Sequence, residues 1–251
     1  MTKGYVKSEQ KKGYTEITFF HPKSNSLPLS LLNELASKIT EADDAKSPSI
    51  ILIKSEGESA FCAGASFEEL VAIENYEQGK KFFMGFAAVI LAMKNSSKFI
   101  ITRVHGKVVG GGTGIVAASD YALASDSASV RLSELALSIG PFVIQPAVEK
   151  KIGKAAFAEM TIDHEWRSSE WAVNKGLYSS LCTSDNLDIC LIKLVDKLTH
   201  CNPETIRELK KAFWEGTDGW EKILEQKAEI NARLVLSDFT KNFIKNVINS
   251  R

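Results

Sequence analysis

Apolar and polar positions recur with two different periods along this chain. Residues 14–20, Tyr-Thr-Glu-Ile-Thr-Phe-Phe, alternate in steps of two, as a strand does, and stop at His21-Pro22. From residue 28 to 42 the spacing lengthens. Leu31, Leu32, Leu35 and Ile39 return to one helical face, and Pro28 suits a first helical turn. Residues 49–54 and 99–104 are apolar almost throughout, which predicts strands covered on both faces in a parallel sheet; residues 121–124 predict another. Phe82, Phe86, Ile90 and Met93 share one face of a helix predicted over 76–93. Strand, helix, strand in that order predicts crossover units stacked into α/β layers.

After about Ala147 the texture changes. Segments 154–161, 168–175, 187–198, 203–214 and 220–234 all read as helices, and Asn202-Pro203-Glu204 supplies a cap, a first-turn proline and an acid. The expected architecture is an α/β core over residues 1–196 and a helical C-terminal region over 197–251. Internal repeats and low-complexity linkers are missing from the pattern.

Composition narrows the class. The 251 residues are 44% hydrophobic and 25% charged, enough for a substantial buried core. Lys+Arg and Asp+Glu number 31 each, so no basic excess points to nucleic acid or an anionic membrane. The first ten residues lack the apolar stretch of a signal peptide, and no run reaches the ~20 apolar residues that span a bilayer. Cys62, Cys182, Cys190 and Cys201 form no CxxC pair, and His21, His105, His164 and His200 are scattered. These features predict free thiols, a cytoplasmic location, no metal and no separate cofactor.

Chemistry concentrates in two glycine-bearing turns. Phe61-Cys62-Ala63-Gly64-Ala65-Ser66-Phe67-Glu68-Glu69-Leu70 follows the strand at Ile50, and its acids suggest a helix start with free N–H groups. Val108-Val109-Gly110-Gly111-Gly112-Thr113-Gly114 follows the strand at Phe99 and again leads into a helical run. Two such turns can aim one N–H apiece at a single oxygen, forming an oxyanion hole. Singly, each also fits an ordinary tight turn, and neither is a GxGxxG or GxxxxGK[ST] phosphate loop.

Together the turns resemble the enoyl-CoA hydratase/isomerase (crotonase) family. So do Ala-Ala-Ser-Asp-Tyr-Ala-Leu-Ala-Ser (117–125), Leu-Ser-Glu-Leu-Ala-Leu-Ser-Ile-Gly-Pro (132–141), Trp-Ala-Val-Asn-Lys-Gly-Leu (171–177) and His-Pro-Lys-Ser-Asn-Ser-Leu (21–27). The resemblance runs from about Tyr14 to about Leu198. It implies an α/β crotonase-like (ClpP/crotonase) fold of stacked ββα units, an acyl-CoA thioester as substrate, and a homotrimer or dimer of trimers.

Carried onto this sequence, the resemblance implies that the Ala65 and Gly111 N–H groups hold the thioester oxygen as it becomes an enolate. Ala63, Gly64, Gly110, Gly114 and Pro141 would line the substrate site, and Lys23 would approach the phosphates. Family hydratases carry two catalytic glutamates; the matching positions here are Gly114 and Glu134. One carboxylate suits isomerisation, because one base can take a proton from one carbon and return it two carbons away. Residues 139–144, with Pro141-Phe142 before apolar positions, likewise resemble the isomerases. Hydration remains open, as do decarboxylation of a branched or glutaconyl-type thioester and an inactive acyl-CoA-binding protein. Glu134 could instead be a structural ion-pair residue beside Arg131.

Other candidates read as structural. His105 is expected to be a hydrogen-bonded structural histidine, and Cys62 a small packing residue. Ser119-Asp120 lacks the GxSxG elbow of a hydrolase. Phe82, Phe83 and Phe86 read as helix packing, or one of them as part of an acyl pocket. Residues 237–244 fit the family's C-terminal pattern poorly.

Overall fold

The computed structural model describes residues 4–44 and 46–249. Strand β1 (Tyr5–Lys11) pairs antiparallel with β2 (Tyr14–Phe20). Helix α1 (Leu29–Ala42) follows and buries Leu31, Leu32, Leu35 and Ile39, the face its spacing predicts. Pro28 is extended and stands just before the helix, not within its first turn.

The chain then repeats one unit three times: a strand, a second strand, and helix. The first unit is β3 (Ile50–Ser55), β4 (Ala60–Cys62), α2 (Phe67–Val71) and α3 (Tyr76–Asn95). The second is β5 (Phe99–Val104), β6 (Lys107–Val109) and α4 (Gly111–Ala117). The third is β7 (Tyr121–Ser125), β8 (Ser129–Arg131), a 3-10 turn at Leu135–Leu137 and α5 (Gln145–Asp163). The rest comprises β9 (Arg167–Ser168), α6 (Ser169–Asn174), β10 (Ser180–Cys182), α7 (Leu187–Thr199), α8 (Pro203–Phe213), α9 (Trp220–Val235) and α10 (Asp238–Asn249).

Among the described residues the strands form a six-stranded sheet, ordered β1-β2-β3-β5-β7-β10, and a four-stranded sheet, β4-β6-β8-β9. The first strand of each unit enters the larger sheet and the second enters the smaller. In the larger sheet β3, β5 and β7 run parallel, with Ile51 opposite Ile100 and Thr102 opposite Ala122. Their continuous apolar runs follow from cover on both faces. Ile51, Ile53 and Ile100 enter the main core, while Ile50, Leu52, Ile101 and Leu123 pack under Leu187, Leu191 and Val195 of α7.

The C-terminal helices share that main core through Trp214, Trp220, Leu224, Ala228 and Val235. Helix α9 lies so close to α3 that a methyl group on Gly79 would meet Ala232 Cα at 3.1 Å. Lys210 of α8 pairs with Asp120 at 2.6 Å, with side chains only 2% and 5% exposed. Trp214 Nε1 donates to the same carboxylate at 3.0 Å. The division at 196/197 falls inside α7.

Several elements depart from the sequence pattern. Helix α5 starts at Gln145 and bends at Gly153, whose φ is 78°, so periodicity registers only its second half. Helix α10 lies in the tail, inside the region expected to be helical but beyond the last helix delimited there. The smaller sheet's strands have three residues or fewer, too short for a period to show. The expectation of four free thiols is corrected: Cys182 and Cys190 form a disulfide, while Cys62 and Cys201 are free. Their spacing matches no motif, but the passage from β10 into α7 brings the two Cα atoms to 6.6 Å, within bonding range. Among the described residues no helix is long and apolar enough to cross a membrane.

Candidate active site

The smaller sheet sets the site. Strands β4, β6 and β8 are parallel neighbours, with Cys62 opposite Val108 and Val109 opposite Arg131. Their C-terminal ends therefore lie side by side, roughly 5 Å apart from strand to strand. The chain leaving each end makes a turn, and these turns hold Ala65, Gly111 and Glu134.

Gly64 shapes the first turn. Its φ is 87°, and a methyl group there would sit 2.9 Å from the Val109 carbonyl oxygen and 3.6 Å from the Gly111 nitrogen. A side chain would push the two turns apart, so glycine is required on both counts. The turn is fastened to residues 21–27. Ala63 N–H donates to the Ser24 carbonyl at 3.2 Å, Leu27 N–H to the Gly64 carbonyl at 2.7 Å, and Ser66 N–H to the Leu27 carbonyl at 3.1 Å. Asn25 locks that segment in turn, its amide donating to the Glu56 and Ala60 carbonyls at 2.7 and 2.9 Å. Among the described residues no protein acceptor takes the Ala65 N–H. Ala63 and Ala65 are half-buried, so a ligand can reach their backbone. Lys23 is exposed on the outer side of this segment and pairs with Glu68 at 2.5 Å.

The second turn begins at Gly110, whose φ is 51° and whose N–H donates to the Arg131 carbonyl at 2.9 Å. Gly111 opens α4, where an N–H has no acceptor within the helix. The ring of Phe86 fills the space beside Gly111, and Cys62 fills that beside Gly112. Gly114 is buried on the same helix, and a methyl group there would lie 2.5 Å from Ile144 Cγ2. Ile144 thus occupies the volume a side chain at position 114 would need.

Glu134 completes the set. A methyl group on Gly110 would sit 2.8 Å from Glu134 Oε1, so the carboxylate lies directly against the second turn. The residue is half-buried as a whole, but Oε2 is cut off from solvent and lacks a hydrogen-bond partner. Burial pushes the carboxyl pKa from its usual 4.5 up to about 7, against a weaker opposing pull from the Glu134 and Ser133 N–H groups. Arg131 is not its partner; that guanidinium donates to the His164 carbonyl at 2.5 Å.

The loop after Glu134 is held by the C-terminal helices. Asn231 donates to the Gly140 carbonyl at 2.8 Å and accepts from Val143 N–H at 3.1 Å, while Thr240 donates to the Ser138 carbonyl at 2.9 Å. No sequence signal marked Asn231 or Thr240, because each acts across about a hundred residues on a loop of no fixed period. Pro141 lines an apolar cleft of about 530 Å³ with Phe142, Phe157, Leu234 and Phe239. That cleft flanks the loop, and neither Ala65 nor Gly111 is part of its lining.

The remaining candidates stay outside. Cys62 is buried, its thiol pushed up to about 12 by burial, which rules out a ready nucleophile. His105 departs from expectation: both ring nitrogens are buried without a well-formed hydrogen bond, and burial lowers its pKa. Ser119 donates to the Val116 carbonyl at 2.6 Å, and Asp120 is committed to Lys210, so the two form no hydrolase triad.

Two N–H donors without protein acceptors, beside one carboxyl group held near neutrality, can stabilise an oxyanion and move a proton on an adjacent carbon. Comparison with known proteins bears on the same point. The family model described as "Enoyl-CoA hydratase/isomerase" matches residues 9–250. The chain is 24% identical over 210 residues to enoyl-CoA hydratase domain-containing protein 3, mitochondrial, of Mus musculus, covering 82% of this chain and 69% of that protein. It is 25% identical over 201 residues to carnitinyl-CoA dehydratase of Proteus mirabilis, covering 79% and 76%. Among solved structures, an enoyl-CoA hydratase from Bacillus halodurans superposes with a TM-score of 0.90 at 20% identity, covering 96% of this chain and 99% of that one. The fold is therefore the one those hydratases share.

Proposed function

The chain belongs to the enoyl-CoA hydratase/isomerase family, and from that premise we propose that it moves a double bond in an acyl-CoA thioester through an enolate, with Glu134 as its one base. The Ala65 and Gly111 N–H groups would hold the thioester oxygen. Each preorganised donor of this kind is worth ~2.7–4 kcal/mol in the transition state. That help is what lets a carboxylate remove so weakly acidic a proton. Glu134 would then take the proton from the carbon next to the thioester and return it two carbons further along.

The observation that carries this reading is the Glu134 carboxyl group, unpaired on one oxygen, raised to about 7 and pressed against Gly110. A base at that value is ionised often enough to accept a proton near neutral pH and acidic enough when protonated to return it. Ile144 favours isomerisation over water addition. It fills the space at Gly114 with apolar atoms, where a second carboxylate would hold water.

Hydration or dehydration is the second reading, and the relatives named as hydratases and dehydratases favour it. The proposal takes the enzyme as cytoplasmic and as a homotrimer or dimer of trimers, which gel filtration with light scattering would test. The reaction is tested by a paired assay of 3-enoyl-CoA and 2-enoyl-CoA, with and without Glu134→Gln. Isomerised 3-enoyl product that disappears in the variant supports the one-base shuttle. Water addition to the 2-enoyl substrate, also lost in the variant, supports the second reading. Silence on both would sink the two together and leave decarboxylation or acyl-CoA binding without turnover.

A further inference from the structure

A second pocket, of about 310 Å³, lies away from the glycine turns. It is lined by Ala117, Ser119, Asp120, Lys150, Lys151, Phe213 and Trp214, where the end of α4 meets α5 and α8. Its charges do not balance. Asp120 is the only carboxylate among those lining residues, and it is already matched by Lys210 at 2.6 Å. Its oxygens also accept from Ile100 N–H at 2.7 Å and Trp214 Nε1 at 3.0 Å. Lys150 and Lys151 therefore face the pocket with no carboxylate of their own.

Lys151 is the more telling of the two. Its ammonium donates once, to the Ser119 carbonyl at 2.9 Å, and desolvation lowers its pKa. An ammonium carries three donor hydrogens. The same chain shows what a fully satisfied lysine looks like. Lys98, buried just before β5, donates to the Ala42, Asp44 and Ser47 carbonyls at and beyond the end of α1, at 2.7, 2.7 and 3.1 Å. Lys151 is half-buried and has one protein acceptor where Lys98 has three, so two of its donors are left for water or a ligand. Lys150 is held at the mouth, its ammonium 5.8 Å from the centre of the Trp214 ring. Phe213 and Trp214 give the pocket an aromatic wall beside these two cations.

We propose that this pocket is a second binding site, for a small oxyanion carried on a flat apolar group. The oxyanion would take the spare donors of Lys151 and the charge of Lys150, while the flat group lies along Phe213 and Trp214. A phosphate monoester and a carboxylate share this chemistry. The assignment does not depend on the reaction proposed above.

The test is calorimetric titration of the full chain with phenyl phosphate and, separately, benzoate, without coenzyme A, the Lys150 and Lys151 variants assigning any binding to this pocket. Saturable one-to-one binding by either probe is expected, and the tighter probe identifies the oxyanion. Losing a charge-assisted hydrogen bond predicts binding at least about tenfold weaker in Lys151→Met. Lys150→Ala, a substitution at an exposed position, should weaken it about threefold or more through lost charge alone. Should Lys151→Met fail to fold, Lys150→Ala decides by itself. No saturable binding of either probe, or binding unchanged in the folded variants, overturns the proposal.

Discussion

Replacing Glu134 with glutamine should cost the protein its activity and remove a loss of stability that the parent suffers as pH rises to neutral and above. The carboxyl group ionises at about 7 in the folded chain against the usual 4.5. Between those values the unfolded state has lost its proton and the folded state still holds it. Stability therefore falls as pH rises through this window, because burial opposes the charge. Worked from the two values, the loss is roughly 2–3 kcal/mol between pH 5 and pH 8. Glutamine cannot ionise, so Glu134→Gln escapes that loss. Its amide adds a fixed cost wherever its N–H groups go unpaired, but that cost is the same at both pH values and cancels in the comparison. For a chain of this size ~1 kcal/mol moves the melting temperature by roughly 2–4 °C. The melting-temperature difference between variant and parent should thus be roughly 5–10 °C more favourable to the variant at pH 8 than at pH 5. Turnover should drop by about 10²–10⁴-fold, and the parent's kcat/KM should rise about tenfold from pH 6 to a plateau above pH 7. Melting curves and initial rates across pH test both halves. A difference that does not change with pH would refute the buried-carboxyl argument, and unchanged turnover would refute the base.

Three further outcomes follow from the same geometry. Gly114→Glu alone should overpack against Ile144 and cost about 1–3 kcal/mol in a denaturant titration; paired with Ile144→Ala it should fold and gain water addition to 2-enoyl-CoA, and a folded double variant without that gain would count against the filled-site argument. Gly64→Ala should lose turnover by more than about tenfold, since a side chain at 2.9 Å from the Val109 carbonyl must part the two turns; a fully active variant would contradict the close approach. In denaturant without reductant, thiol titration should count Cys62 and Cys201 but not Cys182 and Cys190, and four reactive thiols would remove the disulfide.

What the sequence determined by itself is the part written in periods and punctuation. The buried runs at Ile50–Ser55 and Phe99–Val104, the helical faces of α1 and α3, and the glycines at 64 and 110–112 all declare themselves locally. Each follows from what one strand, one helix or one tight turn demands of its own residues. Family resemblance added the pairing of Ala65, Gly111 and Glu134.

Tertiary structure decided the rest. Three short parallel strands bring those three residues to adjacent chain ends, and strands of that length leave no readable period. The Glu134 carboxyl is raised because the fold removes water around it, and whether Arg131 met it could be settled only by where that guanidinium points. Gly114 read as a missing glutamate, yet only packing shows Ile144 in its place. Helices α9 and α10 pin the loop after Glu134 through Asn231 and Thr240, and the Cys182–Cys190 bond joins a strand end to a helix start. All of these are contacts between distant stretches of chain, and their strength depends on solvent exclusion and distance, neither of which any single stretch of sequence contains.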